Sequence, residues 1–296
     1  MNISPSAVAL NVANFKSQAL GTLMRSNHDS GQAALSGLKD LFSAQGNSTI
    51  DPLAWITKSE GAAKVTAAGR NMALADPESA YRMMTTINHA EVAYKAEFSE
   101  MSQMKAHVAQ MEEAGLNLGN IPLTAANDSI VARMQSFVNQ YNGWIERFAP
   151  DMQDGGILDG TRAAEVSVYE LEQSIENIFN GAMDGLHGLG DLGVSIDDET
   201  GLAALDVAKL ESVLESNKQG AVNTLLEFST NFAKSANLLI SSGNFIPNRL
   251  DNLDRAIRYI DDNEASLRAE FGTGSMPQPT GQVAQALAAY NQTYAS

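Results

Sequence analysis

Apolar residues recur every three or four positions along residues 77–114, and this pattern predicts one long amphipathic helix. From Ile87 onward the steps are 3, 4, 4, 3, 3, 4 and 3 residues, close to the heptad spacing of about 3.5. No Gly or Pro follows Pro77 before Gly115, which is predicted to end the helix at a length of roughly 57 Å. Its predicted packing face consists of Ile87, Tyr94, Phe98, Met101 and Val108.

The start of this helix is indicated by Asp76, Pro77 and Glu78, which suit the N-cap, the first helical position and the positive end of the helix dipole. A second long helix is predicted over residues 128–148, ending at 149–150. Its packing face includes Phe137, Tyr141 and Trp144. The first helix either forms an intermolecular coiled coil or folds back on the second as an antiparallel hairpin within one chain.

The second half of the chain has both helical and strand patterns. A third helix is predicted from about residue 161 to Phe179, and alternating apolar residues predict a small β-hairpin near 192–205. Asp206 is placed to cap a further helix, residues 222–239 form another amphipathic segment, and Pro247 is expected to open the last long helix. The predicted fold is therefore mainly α, an elongated helical bundle or coiled coil with one small β-hairpin.

Composition along the chain suggests three parts. Residues 1–75 are rich in small residues and predict a helical, partly flexible N-terminal segment. Residues 76–271 are expected to form the helical bundle with its β-hairpin. Residues 272–296 begin with a stretch rich in Gly and Pro, so they predict a linker and a short C-terminal helix.

Net charge narrows the expected partners. The formal charge is −16, from 35 acidic and 19 basic residues, and such a surface repels the phosphate backbone of nucleic acids. No apolar stretch approaches about 18 residues, so membrane insertion is not expected. The N-terminus lacks the pattern of a secretory signal, so any export is expected to follow a route without a cleaved signal.

Motifs for catalysis, cofactors or metals are missing from the sequence. There is no cysteine, and the four histidines at 28, 89, 107 and 187 form no HExxH pair. The acidic turn at 197–201 lacks the order of an EF-hand, and the Gly-rich stretch at 185–193 contains no Lys or Arg for phosphate. We therefore expect a non-enzymatic protein with no catalytic residues, no metal site and no cofactor.

Four short motifs between residues 130 and 265 resemble one known family. The longest combines a Gly-rich turn, the hairpin and the start of the next helix, with matching order and spacing. The motifs are Phe-Val-Asn-Gln-Tyr-Asn at 137–142, Gly-Gly-Ile-Leu-Asp-Gly at 155–160, Leu-Gly-Asp-Leu-Gly-Val at 189–194 with 197–201, 205–206 and 209–210, and Gly-Asn-Phe-Ile-Pro at 243–247. Together they resemble the C-terminal region of the flagellar filament cap family, hook-associated protein 2.

This resemblance implies a cap-like helical bundle, exported through the flagellar secretion channel and assembled into oligomers. The implied partners are copies of the chain or other flagellar-type helical subunits. The implied location is extracellular, on the flagellum or the cell surface. The alternative is a cytoplasmic helical scaffold or a chaperone-like protein for secreted subunits. The chain is too short for the inserted globular domains that are usual in the family.

Overall fold

The computed structural model describes residues 77–178 and 185–294, which are mainly helical, as the sequence predicted. The N-terminal segment 1–75, the N-cap residue Asp76 and Phe179 lie outside the described residues. The described elements are α1 Pro77–Gly119, α2 Asn127–Met152, α3 Arg162–Glu176, β1 Val194–Ile196, β2 Ala203–Leu205, α4 Val207–Ile240, α5 Phe245–Phe271 and α6 Gly281–Tyr294. Every described helix is too short or too polar to cross a membrane.

The predicted end of α1 at Gly115 is wrong, because the helix continues to Gly119. Both glycines face α4 at very short range. A Cβ atom at Gly115 would lie 2.5 Å from Cδ1 of Phe232, and one at Gly119 would lie 2.4 Å from Oγ of Ser229. The two glycines therefore allow α1 and α4 to approach closely and do not terminate the helix.

Helix α2 runs antiparallel to α1. Midway along α2, Nε2 of Gln140 donates to the carbonyl oxygen of Gln110 at 3.3 Å. About two turns further along α2, Nη2 of Arg147 donates to Oε1 of Gln103 at 2.9 Å. Within the described residues, the two helices thus form the intramolecular hairpin that the sequence left open as one of two alternatives.

Two prolines lie inside helices and do not mark their ends. Pro150 was predicted to end α2, yet the helix continues to Met152, because in the last turn a proline removes only one backbone N–H bond. Pro247 was predicted to open α5, but the helix begins at Phe245 after the N-cap Asn244. In the first turn the N–H that Pro247 lacks has no helical partner in any case.

Helix α4 contains the two predicted helical segments, joined at a kink. Asn217 has φ −148° and ψ 59°, which is not helical. Its side-chain oxygen accepts a hydrogen bond from the backbone N–H of Gly220 at 3.0 Å, as an N-cap does for a new helix. At the start of α4, Asp206 accepts from the N–H of Lys209 at 3.0 Å, so it is the predicted cap.

The predicted β-hairpin is confirmed. Strands β1 and β2 are antiparallel, and their register pairs Val194 with Leu205 and Ile196 with Ala203. At the tip, one carboxylate oxygen of Asp197 accepts hydrogen bonds from both the N–H and the hydroxyl of Thr200, each at 2.8 Å. These bonds hold the turn closed and lower the pKa of Asp197.

The main hydrophobic core lies between α1, α2, α3, α4 and the β-hairpin, and Ile246 at the start of α5 also belongs to it. Phe137 of α2 sits at its centre, with ring centroids 5.4 Å from Phe228 and 5.1 Å from Phe232 of α4 in edge-to-face geometry. All three side chains are buried. Edge-to-face packing suits the charge distribution of aromatic rings, so these three residues tie α2 firmly to α4.

Candidate functional site

The predicted packing face of α1 lies mostly inside the chain. Ile87, Met101 and Val108 are 1 % exposed or less, and Tyr94 is 7 % exposed. Their neighbours in the described residues come from the helices that surround α1. These four side chains are therefore covered by the chain's own helices.

Phe98 was predicted to be buried with this face, and it is only half-buried. Its ring makes edge contacts with Tyr290 and Tyr294 of α6, at centroid distances of 5.8 and 5.1 Å. Both tyrosines belong to a helix of 14 residues, of which only Ala286 is buried. Phe98 therefore marks the place where the packing face of α1 meets the surface.

The predicted packing residues of α2 are all in the core. Phe137 and Trp144 are 2 % exposed, and Tyr141 is fully buried. Among the described residues, the hydroxyl of Tyr141 and Nε1 of Trp144 have no hydrogen-bond partner. Burial, with the nearby carboxylates of Glu172 and Glu176, raises the pKa of Tyr141, so its hydroxyl is protonated.

Asn142, next to Tyr141 on α2, joins this helix to the β-hairpin. Its side-chain Oδ1 accepts from the backbone N–H of Ala203 at 2.7 Å, and Nδ2 donates to the Ala203 carbonyl at 2.8 Å. The backbone groups of Ala203 point away from β1, because the hydrogen-bonded pairs of the hairpin are at the neighbouring positions. The Asn142 amide thus closes the free edge of β2 in the way that a third strand would.

A buried ion pair connects α1 to α5. The guanidinium of Arg249 donates to both carboxylate oxygens of Glu97, at 2.5 and 2.6 Å, and Thr161 donates to the same carboxylate at 3.3 Å. Glu97 is 8 % exposed. A bidentate Arg–carboxylate pair fixes the orientation of both side chains, so it sets the position of α5 on α1.

A second charged cluster connects α1 to the end of α2. Arg147 donates to Glu100 at 2.5 Å and to Asp151 at 2.8 Å. Both carboxylates are nearly inaccessible to solvent. Burial raises the pKa of Glu100 although its hydrogen bond to Arg147 opposes the shift, and the charge of Asp151 adds to it. One guanidinium therefore serves two buried carboxylates.

These charged residues and Asn142 were not identified as packing residues from the sequence. Glu97 follows Tyr94 by three positions and precedes Met101 by four, so it interrupts the apolar stripe of α1. A carboxylate inside such a stripe is a signal for a buried ion pair. The identity of its partner, 152 residues away, has no signal in the sequence.

Residue types that can bind metals are dispersed in the described part of the chain. In residues 77–178 and 185–294, no three His, Asp or Glu side chains come together as metal ligands would. The ring of His107 packs edge-on against Phe148 at 5.3 Å, and its Nδ1 lies 2.9 Å from the Gln103 carbonyl. The charged groups described above hold helices together.

Comparisons with known proteins show similarity to flagellar proteins. A stretch of 106 residues is 30 % identical to flagellar hook-associated protein 2 from two strains of Helicobacter pylori. The match covers 33 % of this chain but only 15 % of each relative. The solved structure of the Escherichia coli flagellar cap protein FliD is 20 % identical, with a TM-score of 0.39 over 43 % of this chain and 37 % of that chain. No family model matches the chain. The predicted resemblance to hook-associated protein 2 is thus confirmed for part of the chain.

Proposed function

We propose that this chain is a non-enzymatic structural subunit of a flagellum-type assembly, which associates with copies of itself or with other helical subunits. The single observation that carries the proposal is the similarity of 106 residues to two hook-associated proteins 2. Buried charged side chains that pair with one another between helices also support a structural role.

The proposal concerns a structural role and not every activity of the relatives. The match spans 15 % of their length, so most of each relative has no counterpart in the matched stretch. We propose an extracellular location, on the flagellum or the cell surface. The strong negative charge is compatible with this location because it favours solubility of the exported chain.

The location is tested by expressing the tagged chain in a flagellated bacterium with and without a working flagellar export apparatus. We expect the chain in the medium or on the filaments of the intact strain and only inside cells of the defective strain. A cytosolic enzyme measured in the same fractions controls for lysis. Retention in the cytosol of both strains would contradict the proposal and favour the scaffold or chaperone alternative.

Self-association is tested by sedimentation of the purified chain over a wide concentration range. We expect species whose mass is a multiple of the 31.5 kDa chain, with a population that rises with concentration. A constant mass of one chain throughout would contradict self-association. Hetero-association would then have to be tested with other flagellar subunits.

A further inference from the structure

Helix α6 is weakly held by the rest of the described chain. Of its 14 residues only Ala286 is buried. The helix packs on α1, where Tyr290 and Tyr294 touch the ring of Phe98 and Nζ of Lys95 lies 5.9 Å from the Tyr290 ring centroid. Tyr294 remains 47 % exposed. The attachment of α6 to α1 thus rests on side-chain packing, with one buried residue and several partly buried ones.

The segment before α6 is, by contrast, firmly anchored to α1. Nδ2 of Asn88, which is 2 % exposed, donates to the carbonyls of Thr273 and Ser275, both at 3.0 Å. The N–H of Ser275 donates to the Thr85 hydroxyl at 2.8 Å. A Cβ atom at Gly274, where φ is +60°, would lie 2.5 Å from the backbone nitrogen of Thr85. The chain is thus fixed on α1 as far as Ser275.

Residues 276–280 then connect this anchor to α6. Their sequence is Met-Pro-Gln-Pro-Thr, and two prolines in five residues favour an extended backbone. In the described part of the chain, no hydrogen bond joins these five residues to α1. Met276 is 57 % exposed, and Tyr81, one turn before Thr85 on α1, is 50 % exposed. In domain swapping, two copies of a chain exchange the same structural element. An anchored start, an extended linker and a weakly held helix are the features that such an exchange needs.

We propose that α6 of one copy seats on α1 of a second copy, against Phe98, in the self-associated form of this protein. The inference rests on the proposed function and names the partner as a second copy of the chain. The exchanged helix makes the same contacts as it makes within one chain, so exchange is a low-cost route to association. The exposed side chains of Tyr81 and Met276 lie beside the anchor, where a second copy would cover them.

The proposal is tested by cross-linking in the full chain, which contains no cysteine of its own. Two single variants, Phe98→Cys and Tyr290→Cys, are purified separately, mixed at high concentration and oxidised. We expect a disulfide that joins the two different variants. The matched control pairs Phe98→Cys with Gln292→Cys, because Gln292 is exposed on the opposite side of α6, and there we expect little cross-linking.

A linker deletion provides a second measurement that leaves the contact residues unchanged. Removing residues 277–279 shortens the linker by about 10 Å, which disfavours the seating of α6 on its own α1 because residues 276 and 280 alone then join Ser275 to the helix. We expect the mass in sedimentation to become twice that of one chain, and the added change Phe98→Ala to restore the single-chain mass. A deletion variant that stays monomeric overturns the exchange.

The outcomes separate the exchange from the proposed function. An oligomeric wild-type protein without a disulfide between residues 98 and 290 overturns the exchange and leaves self-association standing. A wild-type protein that is monomeric at all concentrations and gives no such disulfide contradicts both. An oligomer that forms this disulfide, with a dimeric deletion variant, supports both.

Discussion

Substitution of Gly115 by alanine tests whether α1 and α4 meet as closely as the structure shows. The added methyl group would lie 2.5 Å from Cδ1 of Phe232, whereas carbon atoms in ordinary contact are about 3.5–4.0 Å apart. Phe232 is fully buried, and its ring is held between Phe137 and Phe228. The ring therefore has no free space to move into, and α1 must shift away from α4.

Gly143, a helical glycine of α2, is the matched control. A Cβ atom there meets nothing within 4 Å, so Gly143→Ala should raise the unfolding free energy by about 1 kcal/mol through the higher helix propensity of alanine. Gly115→Ala has the same favourable effect, but the overpacking it causes lowers the unfolding free energy by about 1–3 kcal/mol. The propensity cancels in the comparison, so the difference in unfolding free energy between the two variants should be about 1–3 kcal/mol.

Urea unfolding followed by circular dichroism measures both free energies. A further change, Phe232→Leu, removes the ring carbon that the new methyl group would touch. We therefore expect the cost of Gly115→Ala to be smaller in that background, as a double-mutant cycle would reveal. If Gly115→Ala stabilises the protein as much as Gly143→Ala does, the close approach of α1 and α4 is refuted.

Three further predictions concern polar side chains that are buried or partly buried. Asn142→Ala should lower the unfolding free energy by about 2–4 kcal/mol, because two hydrogen bonds to the Ala203 backbone are lost. Asn142→Asp should not recover the wild-type stability, since a carboxylate cannot donate to the Ala203 carbonyl. Urea unfolding measures both free energies. Tyr141→Phe should leave stability unchanged or raise it by about 1 kcal/mol, because the hydroxyl has no partner within 77–178 and 185–294, and a loss of about 1 kcal/mol would contradict this reasoning. Burial raises the pKa of Tyr94 to about 12 from its ordinary value of 10.0, so the folded state holds the proton more tightly than the unfolded state. The stability that protonated Tyr94 contributes is nearly complete below pH 10 and declines as the pH rises toward the pKa of the folded state. The unfolding free energy should fall by about 1 kcal/mol from this cause between about pH 9.5 and about pH 11. Unfolding measured across this range should therefore lose less stability in Tyr94→Phe, and an identical slope in both proteins would show that the Tyr94 hydroxyl has the same pKa folded and unfolded.

The sequence determined the local elements of this protein well. The three-to-four spacing of apolar residues identified α1 and α2, because a helical face that packs against neighbours must be apolar. Alternation around the acidic turn identified the hairpin, and Asp206 was correctly placed as a cap. These features depend on residues close together in the chain, so their signals survive in a single sequence.

Only the tertiary structure decided what the exceptions to these patterns mean. Gly115 resembled a helix end, but it is a point of close contact with a helix more than 100 residues away. Glu97 interrupts an apolar stripe because Arg249 neutralises it. Phe98 continues the same stripe yet is half-buried, where its ring meets Tyr290 and Tyr294 of α6. In each case the deciding neighbour is distant in sequence. Local patterns carry no information about which distant residue will be near, and that residue sets the burial, the charge balance and the available space.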